Sequence, residues 1–281
     1  MKFKWTGLAA TMVGVAIAST VLASVVYTED FESGYTNGDN LSVYSSDWWA
    51  SSSGVDSPVV EDGFGVAGSV GLGQHGRAVR WSKNAFDFSD PAITKVIMSA
   101  DFETVWDTWT GGGSQPFDDD YLGWMVDEYS TSSSDIFGAY LEGNEIRTRW
   151  RHLGNSSYNS VIGTISDSWK YLTFYRLQVE YTKLTPTSLR MDVTVTELDE
   201  NGVPGAVIGS ATVQDTTSYG TKAPHAAQFS GPMWLGFKNY NQGSPGNIDN
   251  IRLEIIPEPA TAILLAGAGL LLLKRRKRAS S

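Results

Sequence analysis

Within residues 188 to 198 the chain alternates as far as Thr196, with Leu189, Met191, Val193 and Val195 on one parity and Arg190, Asp192, Thr194 and Thr196 on the other. Successive side chains of an extended strand point to opposite faces, so a period of two describes a strand with one buried and one wet face. Residues 171 to 181 repeat the pattern, setting Tyr175, Leu177, Val179 and Tyr181 against Arg176, Gln178 and Glu180. Residues 94 to 106 set Val96, Met98, Ala100, Phe102 and Trp106 against Lys95, Ser99, Asp101 and Glu103. The stretches 171 to 181 and 188 to 198 read as neighbouring antiparallel strands.

Shorter strands are expected at residues 26 to 32, 78 to 81, 121 to 126, 137 to 141, 146 to 150, 206 to 213, 233 to 238 and 248 to 256. Turn chemistry separates them at Asn37-Gly38, across 111 to 120, at Gly143-Asn144, at Glu200-Asn201-Gly202 and across 241 to 246. About a dozen strands and no helical stripe between residues 24 and 256 predict an all-β body, an antiparallel two-sheet jelly-roll sandwich. No repeat of fixed period is visible, which argues against a propeller or solenoid.

The two ends carry a different signal. Lys2 and Lys4 precede an apolar stretch from about residue 6 to 22, and Val21-Leu22-Ala23 offers small residues for a signal peptidase. That order predicts a secretory signal helix over residues 1 to 23; an uncleaved anchor has a similar pattern. At the other end Pro257, Glu258 and Pro259 lead into an apolar run over 260 to 273 and then Lys274, Arg275, Arg276, Lys277 and Arg278. As a helix that run rises about 21 Å, short of a hydrocarbon core about 30 Å thick, so it reads as a minimal stop-transfer segment. The basic cluster holds it with the body outside.

The formal net charge is -10, yet seven of the 21 Lys and Arg lie in the two ends. The chain between them, residues 24 to 256, carries 14 basic against 30 acidic residues, a net of -16. Such a body repels nucleic acid, which is excluded as a partner, and favours cations or neutral ligands. Without cysteine there is no disulfide, thiol catalysis or thiolate metal site.

The Pro-Glu-Pro triplet, short apolar helix and Arg-rich terminus resemble the PEP-CTERM sorting tail of Gram-negative bacteria, here residues 257 to 281. An ordinary single-span anchor preceded by prolines has the same composition. The resemblance implies a substrate of exosortase, anchored in the inner membrane through its C-terminal helix before sorting. It implies delivery to the cell surface, outer membrane or extracellular matrix, where bearers of the tail associate with extracellular polysaccharide.

Two further motifs, Glu29-Asp30-Phe31-Glu32 and Asn247-Ile248-Asp249-Asn250-Ile251, resemble the first and last strands of concanavalin-like and carbohydrate-binding-module jelly rolls. That resemblance implies that the terminal strands pair. It also implies a structural calcium ion on Glu32 and Asp249, with Asp30 in support, an oxygen-only ligand set of the kind calcium takes. Strand-end acids making turn hydrogen bonds are the alternative reading of the same residues.

Aromatic rings stack on the apolar faces of sugars while polar side chains bond the hydroxyls. Trp109, Trp124, Tyr129, Arg149 and Trp150, close to the Gly111 to Asp120 loop or on the next hairpin, form the candidate ligand set. Most other aromatics are expected in the core. A retaining glycosidase needs two carboxylates about 5 Å apart; the nearest imitation is Asp101-Phe102-Glu103, which lacks a third acid. No Gly-x-Ser-x-Gly, Gly-Lys-Ser/Thr or His-Glu-x-x-His motif occurs. The expectation is therefore a non-catalytic, surface-sorted matrix protein that binds polysaccharide; a glycan hydrolase or lyase and a purely structural surface protein are the alternatives.

Overall fold

A computed structural model of the chain describes residues 24–40, 48–50, 59–73, 79–81, 86–104, 121–128, 136–151, 158–166, 169–185, 188–214, 233–240 and 247–257. The expected signal helix and C-terminal helix lie outside them. Ala23–Glu258 forms one compact unit.

The alternating segments are strands: β7 (Ile93–Glu103), β12 (Phe174–Thr185) and β13 (Ser188–Leu198). Together with β1 (Ser24–Glu29), β2 (Asp39–Asn40), β4 (Val59–Asp62), β5 (Val70–Gly73), β14 (Pro204–Gln214) and β16 (Ile248–Pro257) they make a nine-stranded sheet. Its order is β14-β13-β12-β7-β16-β5-β4-β2, with β1 also on β16. A seven-stranded sheet runs β11-β10-β9-β8-β15-β6-β3, formed by β3 (Trp48–Ala50), β6 (Val79–Trp81), β8 (Tyr121–Glu128), β9 (Ile136–Glu142), β10 (Glu145–Arg151), β11 (Tyr158–Thr164) and β15 (Met233–Tyr240). Every strand pair described is antiparallel, so the expected all-β, two-sheet architecture is the one observed.

Cross-strand register explains the core. Ala211, Val193, Val179, Met98 and Leu253 stand in one row across five strands, all buried. Each of the Val, Met and Leu side chains contributes about 1.5–3 kcal/mol on burial, and the Ala methyl less. Ala139, Leu141 and Ile146 of the other sheet belong to the same cluster, so one core lies between the sheets. At one side the sheet edges meet: Ser166 N–H and Oγ–H both donate to Ile208 O, at 2.7 and 2.8 Å, and Ile165 bridges to Gly209.

The terminal strands pair as the motif resemblance implied, from Ser24 opposite Ile255 to Glu29 opposite Ile251. Strand β1 ends at Glu29, not Glu32, because Phe31 adopts φ 58° and turns its ring into the core. Glu29 steadies that turn by accepting from Phe31 N at 3.0 Å and from the hydroxyls of Tyr27 and Tyr35 at 2.9 and 3.0 Å. Strand β7 stops at Glu103, and β12 begins only at Phe174, after a turn in which Leu172 takes φ 50°. Strands β2, β3, β4, β5 and β11 were not expected; they are short, or polar and glycine-broken.

Candidate functional site

The polar residues of the two sheets gather in two places, one on the outer side of each. On the nine-stranded sheet, Asp101 sits at register with Arg176 and Asp249. Although its parity puts it opposite the core, it is fully buried. Arg176 covers it in a two-pronged ion pair, Nε to Oδ1 at 2.7 Å and Nη2 to Oδ2 at 2.9 Å, and Asn250 Nδ2 donates to Oδ2 at 3.0 Å. The hydrogen bond to Asp101 raises the Arg176 pKa further, against the loss of solvent. Glu103 accepts from Asn247 Nδ2 at 2.6 Å; burial raises its pKa and that bond partly offsets the rise.

Asp249 reaches the neighbouring turn because strand β16 bulges. Asn250 takes φ 50°, which Asn tolerates better than most residues, and the register shifts between Asp249 and Arg252. Asp249 Oδ2 accepts from Val66 N at 2.9 Å, Ser69 Oγ at 3.3 Å and Asn250 Nδ2 at 3.3 Å, while Oδ1 accepts from Asn250 N at 2.7 Å. Loss of solvent pushes its pKa up to about 6 despite those donors. Glu32 Oε1 accepts from Val70 N at 2.9 Å, and Asp30 Oδ1 from Glu32 N at 3.2 Å.

Glu32 and Asp249, expected as calcium ligands, thus converge on one turn, residues 65 to 70, and hold it through its own N–H groups. Three of the four donors facing Asp249 converge on Oδ2 and one reaches Oδ1. Among the described residues no group of three or more His, Cys, Asp or Glu is placed to hold a metal ion.

The seven-stranded sheet carries the second gathering. Its core face is marked by Ala139, Leu141 and Ile146. The opposite face is fixed by alternation from Gly138 and Tyr140, and one row crosses all seven strands on it: Asn159, Arg149, Gly138, Met125, Gly236, Arg80 and Trp49. The next row on one side is Val161, Arg147, Tyr140, Gly123 and Lys238; on the other it is Arg151, Ile136, Asp127 and Trp234. Tyr140 is buried here, away from the core cluster.

Arg147 is held at the hairpin end by Glu145, Nε to Oε2 at 2.7 Å, and by Glu142, Nη1 to Oε1 at 3.4 Å. Loss of solvent pulls its pKa down, but Glu145, Tyr140 and Glu142 outweigh that and leave it raised.

The expected ligand set is divided by this register. Arg149 belongs to the outer row, whereas Trp124 stands opposite Ala139 and Trp150 opposite Phe137, positions on the core-facing parity. Trp109 and Tyr129 lie outside the described residues, as do Glu258, Pro259 and the basic cluster from Lys274 to Arg278. Pro257 is the last residue of β16 and stands opposite Ile93. Arg80, Lys238, Trp49 and the three glycines were not foreseen as one group, since only strand pairing brings residues so distant in sequence together.

The geometry defines an antiparallel β-sandwich closed by its own terminal strands, with the C-terminal segment starting where the last strand ends. Residues 256–278 match the PEP-CTERM protein-sorting motif, so the chain carries the tail of an exported, surface-sorted protein of Gram-negative bacteria and is a substrate for exosortase processing. No curated protein matches the chain. Solved structures with some likeness include the T. cruzi calreticulin globular domain, at 11% identity and TM-score 0.41 over 89% of this chain and 95% of that one. The marine PL-14 alginate lyase from Aplysia kurodai has 9% identity and TM-score 0.44 over 82% and 99%. The carbohydrate esterase of Shiga toxin-encoding bacteriophage phi24B has 13% identity and TM-score 0.43 over 83% and 99%. These scores are too low for anything said of those proteins to pass to this chain.

Proposed function

We propose that the body is a non-catalytic polysaccharide-binding module of the extracellular matrix, delivered by its sorting tail, and that it binds through the outer face of the seven-stranded sheet. The observation that carries this reading is the transverse row from Asn159 to Trp49. It combines residue types that a sugar chain needs: Trp49 in the row and Trp234 in the next for the apolar ring faces, and Asn and Arg donors for hydroxyls. Glycine inside central strands weakens a sheet and marks places where a ligand comes close to the backbone. Gly123, Gly138 and Gly236 occupy three adjoining strands on this one face.

A hydrolase or lyase reading would need free acids. Asp101 and Glu103, the pair nearest to a glycosidase arrangement, are on the other sheet and are taken up by Arg176, Asn250 and Asn247. The recombinant body, Ala23–Glu258, contains both sheets and the whole core and is therefore suited to a glycan array. Retention on at least one polysaccharide without release of reducing or unsaturated ends is the expected result. Retention on none would reject the binding function, and product release would replace it with the enzyme.

A further inference from the structure

We infer that the outer face of the seven-stranded sheet selects an anionic polysaccharide, one bearing carboxylate or sulfate groups, through Arg80, Arg149 and Lys238. The inference rests on the binding reading above and adds the ligand's charge to it.

The chain between its two basic ends has only 14 cationic residues. Five of them, Arg80, Arg147, Arg149, Arg151 and Lys238, fall in three adjacent rows on this one face. The only acid in those rows is Asp127, with Glu142 and Glu145 at the hairpin end beside Arg147. On the other sheet each cation of the outer face is matched: Lys95 with Glu180, Arg176 with Asp101, Arg190 with Asp192, Arg252 with Glu254.

A body with a net of -16 repels polyanions except where cations are concentrated, so the cationic band gives both attraction and orientation. Arg149 and Arg80 stand at the two sides of the row, four strand spacings or about 19 Å apart, with Gly138, Met125 and Gly236 between them. That separation spans several sugar units of an extended chain lying across the strands, so the two arginine positions would meet charges a few residues apart. Arg pairs with planar carboxylate or sulfate oxygens in a forked geometry that Lys does not offer.

The test compares polygalacturonate with its carboxyl-reduced form, which keeps the chain and loses the charge, and adds dextran and dextran sulfate as a second pair. Affinity electrophoresis of Ala23–Glu258 should show binding to at least one of the two anionic polymers at least about tenfold tighter than to its neutral partner, weakening as salt rises. The triple variant R80Q/R149Q/K238Q should lose about tenfold or more on that polymer with its Tm little changed. Preference for polygalacturonate or dextran sulfate identifies carboxylate or sulfate as the group recognised. Should the triple variant fail to fold, R149Q alone should still weaken anionic binding about threefold or more. Equal or tighter binding to the neutral partners overturns the inference and leaves the binding function standing; binding to no polysaccharide removes both. Anionic binding undiminished in the variants refutes the assignment to these residues.

Discussion

The two sheets treat charge in opposite ways. On the nine-stranded sheet every outward cation named above has a carboxylate neighbour, and the carboxylate of one pair, Asp101 with Arg176, is fully buried and also accepts from Asn250 at the bulge of β16. On the seven-stranded sheet cations outnumber acids in the three central rows, and glycines interrupt the strands. Removing one partner of a buried pair leaves the other charge uncompensated, whereas a face on which cations outnumber acids has a field that attracts anions. On the reading proposed above, one sheet is the frame and the other the presenting surface.

The largest effect that would break this contrast lies at Arg176. Replacing it by Met leaves Asp101 buried without its counter-charge, and R176M should lower stability by about 3–5 kcal/mol in urea unfolding. A loss no larger than that of an exposed pair would mean that the frame does not depend on this contact.

Asp249 should show its burial through pH. Its pKa is raised from 3.8 to about 6 in the folded state, so its stabilising contribution is fully present below about pH 4 and is lost as pH rises through about 6. The stability difference between wild type and D249N should therefore change by about 2 kcal/mol from pH 4 to pH 7, to the disadvantage of wild type. Glu103, also raised, acts in the same direction in both proteins and cancels. A flat difference would show that Asp249 keeps access to water.

The meeting of the sheet edges is a smaller lever. A Cβ on Gly163 would lie 2.9 Å from both Ala211 Cβ and the Ser210 carbonyl oxygen, so G163A should cost about 1–3 kcal/mol by forcing β11 and β14 apart. The smallest effect is expected from chelation. With four donors already on Asp249 and Glu32 bound to Val70 N, we propose that these acids hold the turn without calcium, so that EDTA leaves Tm unmoved; a fall would restore the calcium reading.

Much of the frame was legible because burial on one face writes itself into a period of two. Strand β13 coincides with the expected residues 188 to 198, and Gly143-Asn144 turns the β9–β10 hairpin with Gly143 at φ 56°. Asp101 defied the pattern: parity sets it outward, and only Arg176 arriving from β12 and Asn250 from β16 make its burial possible. Strand β11 was missed because Tyr158-Asn159-Ser160 reads as loop chemistry and only pairing with β10 makes it a strand. The candidate binding face was hardest to foresee. Its row takes one residue from each of seven strands spread from Trp49 to Gly236, so no local window contains it, and the aromatics chosen by sequence proximity, Trp124 and Trp150, stand on the core-facing parity.

The division of labour is tested most directly by measuring affinity and Tm on R176M and R80Q/R149Q/K238Q side by side, with whichever anionic polysaccharide binds the wild-type body. At a temperature where both remain folded, R176M should have a lowered Tm and nearly wild-type affinity, and the triple variant should have a nearly wild-type Tm and an affinity about tenfold or more weaker. Loss of affinity and Tm together in both variants, or full affinity in the triple variant, would contradict it.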